Sequence, residues 1–149
     1  MRTWLQDVLV AFGLILLAGC VTVPTAPVEA DTAAKSFVVK PGKANIYVYR
    51  NESIGGGIPM SVTLDGRMMG QSGPKTYFLF EVEPGRHVIQ SIAENTTSVA
   101  FDAQAGKNYF AWQEVKMGLW MARSLLQIVD ETTGRKGVAE CKLVQLQQD

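Results

Sequence analysis

The chain has 149 residues, with 14 basic and 14 acidic side chains, 47% hydrophobic residues and 19% charged ones. That size suits one domain, and that apolar content excludes disorder throughout. Zero net charge excludes a broad electrostatic grip on nucleic acid, which needs an excess of Lys and Arg. With two cysteines and one histidine, a Cys/His zinc site would be hard to assemble, and neither metal nor cofactor is expected.

The first twenty residues read as an address. Arg2 and the terminal amine supply a short positive region, weakened by Asp7, and an apolar run from Val8 to Leu17 follows. As a helix this run reaches roughly 15 Å, half the ~30 Å of a bilayer core. It is too short to span a membrane and fits the apolar region of a secretory signal. Next comes Leu17-Ala18-Gly19-Cys20, where small residues let a peptidase groove take the backbone closely before a thiol that can be alkylated.

These four residues resemble the bacterial lipobox at every position. The resemblance implies cleavage between Gly19 and Cys20, a diacylglyceryl thioether on Cys20, and acylation of the new amino group. The residues alone also admit an ordinary cleaved signal or a short uncleaved anchor. Each buried methylene contributes roughly 0.8 kcal/mol, so two or three acyl chains hold a protein on the membrane for practical purposes permanently. Val21 stands where an Asp would suggest inner-membrane retention in lipoproteins of the enteric type. The resemblance therefore leans toward the periplasmic face of the outer membrane. If Cys20 is a thioether, Cys141 has no disulfide partner, and its apolar neighbours Val138, Ala139 and Leu143 favour a buried, inert thiol.

The organisation expected is a signal at 1–19, a lipidated Cys20 with a flexible linker to 35, and a domain over 36–146. Val21 to Lys35 is rich in Pro, Ala and Thr, and Pro24 and Pro27 disfavour a strand. From residue 36, runs of β-formers alternate with turn residues at intervals of about ten. Ala44–Arg50 places Ile46 and Val48 on one face, Tyr47 and Tyr49 on the other. Met60–Leu64 points Met60, Val62 and Leu64 inward, and Asp65-Gly66 signals a two-residue hairpin returning through Arg67–Gln71. Thr76–Val82 aligns Phe78, Phe80 and Val82. Pro84-Gly85 suits a type II turn, which predicts antiparallel pairing with Arg86–Ala93. Thr97–Ala103 aligns Val99, Phe101 and Ala103, Ala105-Gly106-Lys107 turns the chain, and Asn108–Val115 puts Phe110 and Trp112 together. Residues 116–124 admit a helical turn or a loop over one end of the domain. Leu125–Val129 reads as a strand, and Thr133 caps a possible short helix through Cys141, weakened by Gly134 and Gly137. Seven or eight short strands predict an all-β fold, an antiparallel β-sandwich.

PGKANIYVYRN at 41–51, LDG at 64–66, TYFLFEVEPGRHVIQSIAEN at 76–95 and RSLLQIVDETTG at 123–134 resemble a bacterial family defined as domain of unknown function number 2846. The resemblance covers about Lys35 to Leu146. It implies a β-rich domain in short lipoproteins and carries over no catalytic residue. The Pro-Gly turn is also similar to PEGA-type surface domains.

No catalytic set assembles along the chain. His87 is the single histidine, and no serine sits in a Gly-x-Ser-x-Gly turn, so His87 reads as a hydrogen-bonded strand residue. Glu81 and Glu83 share a strand face about 7 Å apart, and with Asp130 and Glu131 they are the carboxylate pairs a glycosidase would use; exposed strand faces carry such pairs commonly. Gly55-Gly56-Gly57 lacks the Lys-Ser/Thr of a phosphate loop. Met60, Met68, Met69, Met117 and Met121 fit core packing better than copper.

Met117, Leu119, Trp120 and Met121 form an apolar cluster beside Lys116 and Arg123. It serves either core closure or contact with lipid headgroups or a partner. The reading as a whole is a periplasm-facing lipoprotein held by Cys20, with a non-catalytic domain for binding, assembly or structure and a possible envelope-protein partner. The alternatives are a small hydrolase of cell-wall material and a module binding a peptide or ligand at a sheet edge.

Overall fold

A computed structural model of the protein describes residues 22–53 and 57–146. The signal segment with Gly19 and Cys20 lies outside the described residues, as do Gly55 and Gly56. The described chain forms α1 (Val28–Ala34), β1 (Ala44–Arg50), β2 (Met60–Leu64), β3 (Arg67–Ser72), β4 (Thr76–Val82), β5 (Gly85–Ile92), β6 (Thr96–Ala103), β7 (Asn108–Met117), β8 (Ala122–Val129), α2 (Glu131–Ala139) and β9 (Lys142–Leu143). One sheet runs β8-β7-β1-β4-β9 and the other β3-β2-β5-β6. The two pack as the sandwich that the strand pattern predicts.

Side-chain alternation builds two main cores, with a smaller cluster of Met60, Val115 and Ala122 beside them. Ile46 and Val48 of β1, Phe78, Phe80 and Val82 of β4, Val62 of β2, Ile89 of β5 and Phe101 of β6 fill the space between the sheets. Tyr47, Tyr49, Tyr77 and Phe110 point the other way and pack under Ala34 of α1, Val138 of α2 and Cys141. The helices thus form a third layer, and β1 is buried along its whole length, as expected of a strand covered on both faces. Each aromatic ring taken out of water contributes roughly 1.5–3 kcal/mol, and Tyr47 stacks on Phe110 with centroids 5.1 Å apart.

The C-terminal helix starts three residues earlier than the Thr133 cap predicts. Asp130 is the N-cap: its carboxylate accepts the Thr133 N–H at 2.9 Å and the Thr133 hydroxyl at 2.7 Å. Gly134 and Gly137, which weaken the helix by propensity, are what seats it. A Cβ on Gly134 would stand under 3.0 Å from the Phe110 ring, and one on Gly137 would meet the Tyr49 ring as closely.

Three expectations need correction. The sandwich is not wholly antiparallel, because β1 pairs parallel with β7 and β4 parallel with β9. Asp65-Gly66 does make the predicted hairpin, with φ of 51° and 81°, but Pro84-Gly85 does not. β4 lies in one sheet and β5 in the other, so this turn carries the chain across the core. Both neighbours of β4 are already taken, by β1 and β9, and its apolar face meets that of β5 across the sandwich rather than beside it.

The third correction concerns the spacer. From Val23 onward it is docked. Thr25 bridges Val144, and the Ala26 N–H donates to the Leu143 carbonyl at 2.8 Å. Asp31 accepts the Leu143 N–H at 2.9 Å and Lys35 at 2.7 Å; Lys35 also donates to the Cys141 carbonyl at 2.6 Å. The prolines are tolerated because Pro27 is the N-cap of α1 and Pro24 lies at a sheet edge, where its carbonyl accepts the Gln145 N–H at 3.0 Å.

Short connections reverse direction at every step from β1 to β8. The β1–β2, β3–β4, β5–β6 and β7–β8 connections therefore gather at one end. Val23 lies at that end too, packed against Gly73 of the β3–β4 connection. On the β8 side the sandwich is laced shut: Asn95 Oδ1 accepts the Ser124 N–H at 2.9 Å, and Thr97 Oγ1 accepts the Leu126 N–H at 3.2 Å. Inside, Ser72 donates to Gln113 Oε1 at 2.5 Å, Gln113 Nε2 to Ser91 at 2.6 Å, and Ser124 to Ser91 at 2.5 Å. This buried polar chain ties one sheet to the other.

Candidate functional site

The segment 116–124 is neither a helical turn nor core closure. β7 and β8 pair continuously from Phe110↔Val129 to Met117↔Ala122, leaving residues 118–121 as a projecting tip. Met117 is 82% exposed, Leu119 89%, Trp120 92% and Met121 54%, so all four residues of the sequence-predicted patch stand in water. The tip is built, not slack. A Cβ on Gly118 would strike the Met121 carbonyl, the Glu94 carboxylate and Arg123, so only glycine fits. Glu94 Oε2 accepts the Met121 N–H at 3.2 Å, and Asn95 Nδ2 donates to the Ser124 carbonyl at 2.9 Å. The β5–β6 turn thus braces the β7–β8 turn. Nothing local in the sequence joins Glu94 and Asn95 to residues 121–124. Lys116 and Arg123 face each other one step below the tip, with Lys116 Nζ 2.5 Å from Glu114.

Two concavities accompany the tip. One, of about 560 Å³, follows the open seam between β3 and the β4/β9 edge, lined by Leu64, Met69, Leu79, Phe80, Val144 and Leu146 among others. The other, of about 270 Å³, lies between α2 and the sheet, walled by Tyr49, Trp112, Asn51, Lys136 and Glu140. Among the described residues, Asn51 Oδ1 and Trp112 Nε1 are buried there without a partner. The Asn51 amide is oriented by its Nδ2, which donates to Glu140 at 3.3 Å.

The remaining chemistry-bearing residues are each engaged structurally. Cys141 is 2% exposed, its thiol donates toward the Gly137 carbonyl at 3.3 Å, and burial pushes its pKa up to about 12, so it is the inert thiol expected. His87 has both ring nitrogens occupied, at 2.7 Å from Asp65 and 2.8 Å from the Glu83 carbonyl. Partial burial opposes its charge, but those two acceptors outweigh burial and raise its pKa. Glu81 pairs with Lys40 at 2.7 Å and Glu83 with Lys43. Asp130 caps α2, and Glu131 pairs with Arg135 at 2.6 Å. Met60 is fully buried and Met69 packs against the core, but Met68 is 50% exposed. Core packing therefore does not account for Met68, Met117 or Met121. Among the described residues no cluster of three His, Cys, Asp or Glu side chains forms, and no helix is long and apolar enough to cross a membrane.

The architecture defines a small two-sheet β-domain under a helical layer, with four exposed apolar side chains clustered on one braced hairpin while Val28, Val38 and Met68 stand exposed elsewhere. The chain belongs to the family described as a protein of unknown function, DUF2846, whose model matches residues 40–124, from just before β1 to just past the hairpin tip. It is also similar to an uncharacterized protein of Haemophilus influenzae, 31% identical over 131 residues that make up 87% of this chain and 78% of that protein.

Proposed function

We propose that this protein is a bacterial envelope lipoprotein, anchored through Cys20 and facing the periplasm from the outer membrane. Its β-domain serves as a non-catalytic binding, assembly or structural module. The observation that carries the reading is the complete Leu17-Ala18-Gly19-Cys20 motif directly after a ten-residue apolar run. A thiol at that position supplies the nucleophile for the thioether that converts a secreted chain into a membrane-held one. Two or more acyl chains make the attachment effectively permanent, where one would be reversible.

The test is incorporation of an alkyne fatty acid, read on the purified protein, together with membrane fractionation. The wild type incorporates label and stays with membranes. Cys20→Ser loses the label and accumulates as an unprocessed precursor. A Cys20→Ser chain processed and retained like the wild type refutes the proposal.

A second reading, a peptide or ligand module, draws on the seam. β9 pairs only Thr76 and Tyr77 of β4, so the rest of β4 borders the 560 Å³ groove, a geometry suited to strand addition. Native mass spectrometry of protein taken directly from envelopes would then show a bound species that Met69→Trp, which fills the groove, releases. An unliganded mass for both forms removes this reading.

A further inference from the structure

We infer that the end of the sandwich carrying the β7–β8 tip rests on the bilayer, with Met117, Leu119, Trp120 and Met121 at the boundary of headgroups and acyl chains and Lys116 and Arg123 toward lipid phosphates. This rests on the lipid-anchor reading above.

The first support is the leash. Because Val23 is packed against Gly73 and Thr25 is bridged to Val144, three residue steps separate Cys20 from the body of the domain. Fully extended, they span about 10 Å. Fifteen free residues would instead have let the domain wander about 20 Å root-mean-square from its anchor. The docked segment holds it against the membrane.

The second support is direction. Val23 meets the β3–β4 connection, and that connection shares its end of the sandwich with the β7–β8 tip. The bridged Thr25 segment lies beyond β9, and β8 is the opposite edge strand. Across the sheet they are five strand spacings apart, about 24 Å. An anchor at one corner and an apolar knob at the other, both at the same end of the sandwich, let one flat bilayer surface meet both.

The third support is chemistry. The knob puts an indole at 92% exposure beside a leucine at 89%, one step above the opposed cations Lys116 and Arg123. An amphipathic ring with basic residues behind it is the combination enriched at membrane interfaces. Three carboxylates stand nearby and each is engaged: Glu52 accepts the Val115 N–H, Glu94 the Met121 N–H, and Glu114 accepts from Gln127 and from Lys116, a partner that Lys116 exchanges for lipid phosphate on contact.

Lipid is favoured over a protein partner by size. A stable protein interface takes roughly 800 Å² and about 20–30 residues from each partner, whereas the tip offers four apolar side chains on a convex turn. Shallow insertion needs no such area when a covalent anchor already fixes the local concentration.

The experiment uses the processed protein extracted from membranes and reconstituted into phosphatidylethanolamine–phosphatidylglycerol vesicles, with and without bromine on the acyl chains. In a Trp112→Phe variant the emission reports Trp120. Contact predicts emission lowered at least about twofold by the brominated lipid, with a shift to shorter wavelength, and Leu119→Asp removes most of the quenching. If Trp112→Phe fails to fold, fluorine NMR of 5-fluorotryptophan-labelled wild type reads the two indoles separately. Equal emission in both vesicle types, with the protein still bound, overturns the inference and leaves the anchor intact. A photo-crosslinker at position 120 that captures a protein instead of lipid in intact cells also overturns it. An unmodified Cys20 by mass spectrometry brings down the anchor reading and this inference together.

Discussion

Gly134→Ala sets two effects against each other. On propensity alone, alanine in place of glycine inside a helix gains about 1 kcal/mol. The structure reverses that sign. The added methyl would sit under 3.0 Å from Cβ, Cγ and Cδ1 of Phe110, and that ring cannot swing away, because it is 1% exposed and stacked on Tyr47. Relief requires α2 to lift off the sheet, loosening Val138 and Cys141 from the second core. Overpacking of this kind costs about 1–3 kcal/mol, and the clash of a helix backbone with a fixed ring belongs at the upper end. The expected net loss is about 2 kcal/mol, or roughly 5–8 °C in Tm for a domain of this size. Urea and thermal unfolding followed by circular dichroism measure it. Lys136→Ala, on the exposed side of the same helix, stays within about 0.5 kcal/mol of wild type. Phe110→Leu introduced beside Gly134→Ala restores part of the loss, a coupling that reports contact. A Gly134→Ala protein as stable as wild type, or more so, refutes the seating of α2 on Phe110.

Further outcomes follow from the same geometry. Gln113→Ala removes the acceptor of the Ser72 hydroxyl and the donor to Ser91 and opens a void between the sheets, so urea unfolding shows about 3 kcal/mol lost. His87, its pKa raised by Asp65 and the Glu83 carbonyl against the opposing effect of burial, stabilises the fold fully below about pH 6.5 and loses that contribution as pH climbs through the higher folded value. Asp65, lowered despite partial burial by the Val88 N–H and His87, contributes above about pH 4 and ceases to as pH falls through its folded value; Asp65→Asn flattens both limbs of a stability–pH profile. Cys141, with its pKa at about 12 through burial, reacts with thiol reagents at neutral pH only after unfolding, and fast labelling of the native protein contradicts the packing described. Asp31→Ala removes the acceptor shared by Lys35 and the Leu143 N–H, so hydrogen exchange across α1 accelerates about tenfold or more with β1 unaffected.

Much of this was legible along the chain because the signals are local. Alternation in Ala44–Arg50, Thr76–Val82 and Thr97–Ala103 places the inward residues correctly, since a strand sends successive side chains to opposite faces whatever its partner. Asp65-Gly66 announced its hairpin because both positions take positive φ. The four apolar residues at the tip were visible as a cluster, though whether they close a core or face water depends on where the hairpin ends. The address proposed at Cys20 is likewise a linear motif.

What only the tertiary structure decided are choices among equally satisfied local patterns. Pro84-Gly85 serves a hairpin or a crossing between sheets with the same dihedral preferences, and competition for the edges of β4 selects the crossing. The parallel match of Asn45 with Asn108 carries a side-chain bond, Asn45 Nδ2 donating to Asn108 Oδ1 at 3.2 Å, between residues too far apart in the chain for any local pattern to join. Gly134 and Gly137 count against a helix until two aromatic rings beneath them show that a missing Cβ is what brings the layers together. Pro24 and Pro27 suggested a free tether; the partners that pin it, Leu143 and Val144, lie over a hundred residues away, where periodicity within a window of ten has nothing to say.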